Sequence, residues 1–256
     1  MTQELVSETG YRSSAGGPAL DRSKKRLART WDGRVKSWHE HAEHSPGMSR
    51  VHRETLAACG DVSGLDVVDL GAGSGAITVP LAMTARQVIA VDLSSRMLAD
   101  LQQGLETGLG NVQNVTTHCM DIATFDLPPR SVDLVVSCYA MHHLNDAEKA
   151  AAIRHAAAWL RPGGRIVLAD MMLGRGLGAR DRKIIASKVR LLARKGVGGW
   201  WRIAKNAVRL SLRTGTEKPC SPGYWSHLLA SSGFTDVAVS EVVAEAAVVT
   251  GRRPPT

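Results

Sequence analysis

Aromatic rings are scarce in this chain: two Phe, three Tyr and six Trp among 256 residues, or 4%. So sparse a set argues against a nucleic-acid surface built on base stacking. Cysteine is scarce too. Cys59, Cys119, Cys138 and Cys220 are far apart and form no Cys-x-x-Cys pair, which excludes a disulfide framework and a cysteine zinc site. Long hydrophobic runs are also missing. The most apolar uncharged stretch, Leu70 to Ala85, carries three glycines and a proline in sixteen residues, too short and interrupted to span a bilayer. The first twenty residues have no apolar signal core, so the expectation is a soluble cytoplasmic protein.

What is present is ordinary globular material, 44% hydrophobic and 22% charged, and 256 residues suggest one domain, or one domain with a sizeable appendage. The net charge of +8 is concentrated. Arg175 to Arg213 holds twelve Lys or Arg against Asp181 alone, and Arg22 to Arg29 holds five cations and no acid. The remainder is therefore acidic, at −8. A basic surface raises anionic partners, but here it belongs to two segments and not to the body.

Five β-branched runs mark strands: Leu65 to Leu70, Gln87 to Val91, Val112 to His118, Val132 to Ser137 and Arg165 to Ala169. Helical patterns at Ala76 to Thr84, Ser95 to Glu106 and Asp146 to Leu160 separate most of them, which predicts a parallel sheet covered on both faces. A helix from Pro222 to Ser232 precedes two more strands, Thr235 to Val242 and Ala246 to Gly251, joined too tightly for a parallel crossover. The expected fold is thus α/β, a Rossmann-like seven-stranded sheet, mostly parallel with an antiparallel C-terminal hairpin. Upstream, Leu27, Trp31, Val35 and Trp38 predict one helix over Leu20 to His44, and Ser49 is read as the N-cap of a second that ends before Gly60. The expected divisions are a disordered tail (1–19), a helical cap (20–60), a core (61–172), a basic helical lid (173–221), and the last helix with the hairpin (222–256).

The sharpest motif is Val67-Val68-Asp69-Leu70-Gly71-Ala72-Gly73-Ser74-Gly75, strand into glycine loop into helix. Glycines let the backbone approach a ligand, and a helix N-terminus offers free N–H groups. The spacing is G-x-G-x-G, which departs from the G-x-G-x-x-G of dinucleotide sites, although Ala76 is tolerated at that form's last position. Seventeen residues on, Asp92 closes the second strand. Alone it reads as a turn former or N-cap; paired with the loop it reads as an acceptor for ribose hydroxyls.

These segments closely resemble the class I S-adenosylmethionine-dependent methyltransferases, across about residues 60 to 172. Within them the likeness is greatest to the small-molecule branch of ubiquinone/menaquinone C-methyltransferases, methyltransferase type 11, and natural-product enzymes. The resemblance implies that Asp69, Gly71, Ala72, Gly73 and Gly75 hold the methionine end of S-adenosylmethionine. Asp92 would bind the ribose, Leu93 would flank the adenine, Asp121 would meet its exocyclic amine, and Ile122 would back the ring. Met97 and Cys138 would border the same cofactor. Ser137 to Leu144 match the segment that leaves the fourth strand toward the substrate, and Leu160 to Arg165 match a turn before the fifth.

Methyl transfer from a sulfonium needs alignment and dryness, and a base only when the nucleophile is protonated. His142 and His143 are the candidate catalytic residues, against the alternative of local packing. Tyr139 either orients substrate or covers the sheet edge, the latter slightly favoured. Several patterns are absent. Ser137-Cys138-Tyr139-Ala140 stands where exocyclic-amine methylases carry [Asn/Asp]-Pro-Pro-aromatic, and Cys138 lacks the Pro of RNA cytosine enzymes, favouring a structural thiol. Asp170 supplies only one of the two acids a metal-dependent catechol-type enzyme needs, so no metal is expected. His39, His41, His44 and His52 read as a solvated polar face.

If Trp201 to Arg213 is helical, Arg202, Lys205, Arg209 and Arg213 share one stripe, with Gly196, Gly198 and Gly199 as a hinge before it. The basic face is either solvated, resting on an anionic membrane beside a lipid-like substrate, or set against RNA, the last ranked lowest. The expected function is methylation of a small-molecule acceptor at O or C. The alternatives are a catalytically idle cofactor-binding module and an NAD-type oxidoreductase.

Overall fold

Residues 20–108, 112–172, 182, 186, 189 and 217–255 are described by the structure, a computed structural model, with only the backbone at 39–43. The five β-branched runs form five parallel strands: β1 (Asp66–Leu70), β2 (Gln87–Asp92), β3 (Val115–Cys119), β4 (Val132–Cys138) and β5 (Leu160–Met171). The hairpin follows as β6 (Thr235–Val243) and β7 (Ala246–Arg252), with β7 antiparallel to both β5 and β6. The order is β3-β2-β1-β4-β5-β7-β6. Chain order reverses between β1 and β4, and such a switch point opens a crevice at the strands' carboxyl ends.

The helices are α1 (Arg22–Asp32), α2 (Val35–His44), α3 (Pro46–Cys59), α4 (Thr78–Ala82), α5 (Ser95–Gly108), α6 (Asp146–Trp159) and α7 (Pro222–Ser231). Alternation along β1 sorts the core. Val68 and Leu70 join a cluster with Ile153 and Trp159 of α6 and Trp225 and Leu229 of α7. Val67, on the other face, packs with Val51 and Cys59 of α3 and Leu81 of α4. Both phenylalanines, Phe125 and Phe234, are buried, as are Trp159 and Trp225. Each such side chain contributes roughly 1.5–3 kcal/mol by leaving water.

Three local expectations are corrected. The single helix over 20–44 is broken by Gly33 and Arg34 into α1 and α2, so the helical periodicity continues across a chain break in geometry. Ser45, not Ser49, caps α3: its hydroxyl accepts from the Met48 N–H, and Pro46 follows at the first turn, where its missing N–H costs nothing. Leu160 to Arg165 is not a free turn but the start of β5, where Leu160 pairs with Val132 and Gly163 and Gly164 bond Arg253. The basic segment 173–216 and the tail 1–19 lie outside the described residues apart from Arg182, Ala186 and Val189, which are helical. The proposed hinge and the Trp201 to Arg213 stripe fall there too. Among the described residues, no helix is long and apolar enough to cross a membrane.

Candidate functional site

The crevice is built around the loop after β1. Gly71, Gly73 and Gly75 have φ of 83°, 53° and 95°, backbone that favours glycine. A Cβ at Gly71 would lie 2.1 Å from the Ala140 Cβ, so the loop and the segment after β4 can pass each other only with glycine there. A Cβ at Gly75 would lie 2.4 Å from Leu101 Cδ1, whereas nothing stands within 4 Å at Gly73. Gly75 thus lets the loop settle on α5 and does not line the cavity. Gly73 faces open space.

Asp92 holds the loop from the next strand. Its Oδ2 accepts the Gly73 N–H at 2.9 Å, and its Oδ1 the Ser94 N–H at 2.8 Å. Burial raises its pKa, against the pull of those amide donors, and nearby Asp32 adds to the rise. Asp69 is wholly buried and accepts the Thr78 hydroxyl at 2.6 Å. Burial pushes its carboxyl up to about 7, with Asp92 adding to the effect. Among the described residues no salt bridge reaches it, so a cationic ligand group would meet a carboxylate in want of a counter-charge.

Asp69, Gly71, Ala72, Gly73, Asp92 and Leu93 line one cavity of about 910 Å³, its open mouth included. Met97, Asp121, Ile122, Cys138 and His143 line it as well. Burial and neighbouring acids push the Cys138 thiol far up, and its Sγ lies 3.8 Å from the Thr55 hydroxyl, an inert packed thiol at the cavity wall. The sequence alone did not place Lys24, Leu27, Trp31, Trp38 and His52 here, yet all five line the cavity. Lys24, Leu27 and Trp31 recur at helical spacing on the inner face of α1, which roofs the site. His52 departs from the solvated polar face expected of it: it is half-buried, and burial lowers its pKa.

A second cavity lies alongside, and Trp31, Trp38, Tyr139 and His143 line both. Trp31 meets Trp38 edge-on at 5.2 Å between ring centroids and His143 at 5.5 Å. His142 lines only the second cavity of the two. Its Nδ1 lies 2.5 Å from Asp170 Oδ1, at the end of β5, and its ring is 4.1 Å from that of His143. Burial disfavours the imidazolium, but the Asp170 charge and hydrogen bond outweigh it, so the pKa of His142 lies above its ordinary value. Tyr139 has φ 54°, uncommon for a bulky residue, and it lines both cavities while packing against the core cluster of Val67, Val136 and Val167. Among the described residues, no group of three or more His, Cys, Asp or Glu could hold a metal ion.

Comparison with known proteins gives this geometry a family. A model of the methyltransferase domain matches residues 67–164. An uncharacterized methyltransferase of Geobacillus sp. (strain WCH70) is 30% identical over 152 residues, covering 56% of this chain and 68% of the relative. The chain belongs to the class I S-adenosylmethionine-dependent methyltransferases. A second uncharacterized methyltransferase, from Geobacillus kaustophilus (strain HTA426), is 31% identical over 144 residues, covering 56% of this chain and 62% of its own length. This methyltransferase spans between about half and two thirds of the length of most curated relatives it matches, 46% at the low end for a Bacillus cytotoxicus methyltransferase and 68% for the Geobacillus sp. one. The magnesium protoporphyrin IX methyltransferase of Synechocystis PCC 6803, solved with bound SAM, has the same fold: TM-score 0.61, 16% identity, covering 93% of this chain and all of that one.

Proposed function

We propose that this methyltransferase moves the methyl group of S-adenosylmethionine to a hydroxyl or carbon acid of a small molecule seated in the second cavity. The observation that carries this is the wall of Trp31, Trp38, Tyr139 and His143 shared by the glycine-loop cavity and the cavity lined by His142, whose ring is backed by Asp170. The residues of the first cavity fit the cofactor. Asp69 offers a buried carboxylate to an ammonium, Asp92 offers acceptors to a ribose, and Leu93 and Ile122 are apolar flanks for adenine. Bound there, S-adenosylmethionine would supply a methyl on a sulfonium whose departing thioether needs no acid.

The chain's own part is alignment, dryness and one proton. The aromatic wall excludes water between the two chambers and limits how an acceptor can approach. With the His142 Nδ1–H donated to Asp170, Nε2 is the basic atom, and it takes the acceptor's proton. Peripheral contact with an anionic membrane belongs to the same proposal. Arg22, Lys25, Arg26 and Arg29 of α1 are exposed on the outer side of the roof, and the sequence of 175–213 adds its own excess of cations.

Calorimetry with S-adenosylhomocysteine tests the cofactor assignment. The wild type should bind it, and Asp92→Ala should weaken binding by about tenfold or more, the equivalent of one strong hydrogen-bonding carboxylate. Equal affinity in the two proteins, or binding of NADH in place of the thioether, would defeat the proposal. Cell extract incubated with methyl-labelled cofactor would then identify the acceptor.

A further inference from the structure

The inner face of α1 carries a buried cation. Lys24 is 7% exposed, and its Nζ lies 3.1 Å from Asp121 Oδ2 and 3.0 Å from Glu148 Oε1. The two carboxylates come from distant parts of the chain, just after β3 and in the first turn of α6. Each is held by a further contact. Glu148 Oε2 accepts the Asn145 N–H at 2.6 Å, one half of the capping box of α6. Asp121 Oδ1 accepts the Ala123 N–H at 3.0 Å and also lies 3.3 Å from Lys24 Nζ.

The Lys24–Asp121 pair is buried and Glu148 only partly so, and a buried ion pair is an inefficient way to seat a helix, because desolvation offsets most of the attraction and an apolar side chain would serve as well. Its effect on Asp121 is specific, however. The Ala123 amide and Lys24 together fix the plane of the carboxylate, and Lys24 is the sole partner of Oδ2 among the described residues. Lys24 and Asp121 both line the first cavity. Left to itself, the carboxylate could turn, and Lys24 removes that freedom.

We infer that Lys24 is a positioning residue for adenine, resting on the S-adenosylmethionine reading above: it orients Asp121 so that the free side of Oδ2 accepts the exocyclic amine. Because Lys24 is delivered by α1, recognition of the base and seating of the roof become one event. The amine donates to the oriented carboxylate, while a 6-oxo purine would set a carbonyl oxygen against it, losing a bond and adding repulsion.

Calorimetry with two probes on the full chain tests this: S-adenosylhomocysteine and S-inosylhomocysteine, which has an oxo group in place of the amine. The wild type should prefer the adenosyl compound by about tenfold or more, a difference of about 1.4 kcal/mol. Lys24→Met should lower affinity for the adenosyl compound by about tenfold and leave the inosyl compound within about twofold, so the preference collapses. Lys24→Arg should restore part of it. Glu148→Gln, which keeps the capping geometry, should narrow the preference in the same direction if Lys24→Met fails to fold. Equal weakening of both probes, or an undiminished preference in these variants, overturns the inference. Failure of the wild type to bind S-adenosylhomocysteine would instead overturn the cofactor reading beneath it.

Discussion

At the scale of single residues, two glycines two positions apart in one loop are held there for different reasons. A Gly71→Ala side chain has no room against Ala140 and sits at φ 83°, so it should destabilise the protein by about 2 kcal/mol or more. Gly73→Ala meets open space at φ 53° and should cost about 1 kcal/mol, from backbone strain alone. Thermal melts of the two variants should therefore differ, whereas both should lose affinity for S-adenosylhomocysteine. His142 supplies a pH signature. Its pKa lies above 6.5 in the folded protein, so acceptor methylation should fall as pH drops through that raised value and the base becomes protonated. Asp170→Asn removes the charge that holds the value up and should shift this limb to lower pH. His142→Gln should reduce turnover by about 10²–10⁴-fold and flatten the profile. The stability sign is opposite: a raised histidine pKa stabilises the fold fully below 6.5 and loses that contribution as pH rises through the folded value.

At the scale of elements, α1 is held at both ends by polar contacts with the core. Lys24 reaches Asp121 and Glu148 near its start. At its last residue, Asp32 Oδ1 accepts the Ser94 hydroxyl at 2.6 Å and the Arg96 N–H at 3.3 Å. Ser94 Oγ in turn accepts the Met97 N–H, so Asp32 braces the N-terminal cap of α5 from 62 residues away. Asp32→Ala should cost about 1 kcal/mol, as loss of a cap does. Hydrogen exchange should speed up in α1 and the first turn of α5 while α6, capped by its own Asn145 and Glu148, stays protected. The same brace places an extra negative charge near Asp92, one of the causes of its raised pKa.

At the scale of the whole molecule, charge and chemistry are separated. The first cavity is lined by Asp69, Asp92 and Asp121, and Asp170 backs His142, whereas four cations of α1, Arg22, Lys25, Arg26 and Arg29, are exposed. Anionic vesicles containing phosphatidylserine should sediment the full chain at low salt and release it at high salt, where exposed charges are screened. Neutral vesicles should not sediment it. Substitution of Arg22, Lys25, Arg26 and Arg29 by Gln should weaken the interaction without altering affinity for S-adenosylhomocysteine, since none of the four lines the first cavity. Absence of binding to anionic vesicles would leave these side chains to solvent.

The alternation of β-branched runs and helical segments determined the sheet, and the short link before β7 determined its antiparallel edge, because both are consequences of local periodicity and loop length. The position of the glycine loop, Asp92 and the pair of histidines at the crevice was legible for the same reason: each lies within a few residues of a strand end. What folding alone decided is who meets across the crevice. Trp31 and Trp38 look in sequence like core positions of one helix, yet Gly33 and Arg34 break that helix and both rings end on the wall between the two cavities. Asp170 counts in sequence as one acid short of a metal site, yet the parallel pairing of β4 and β5 sets it 2.5 Å from His142. Lys24 sits in a basic run indistinguishable from its solvated neighbours. Only the docking of α1, 97 residues from Asp121, takes it out of water and gives it a task.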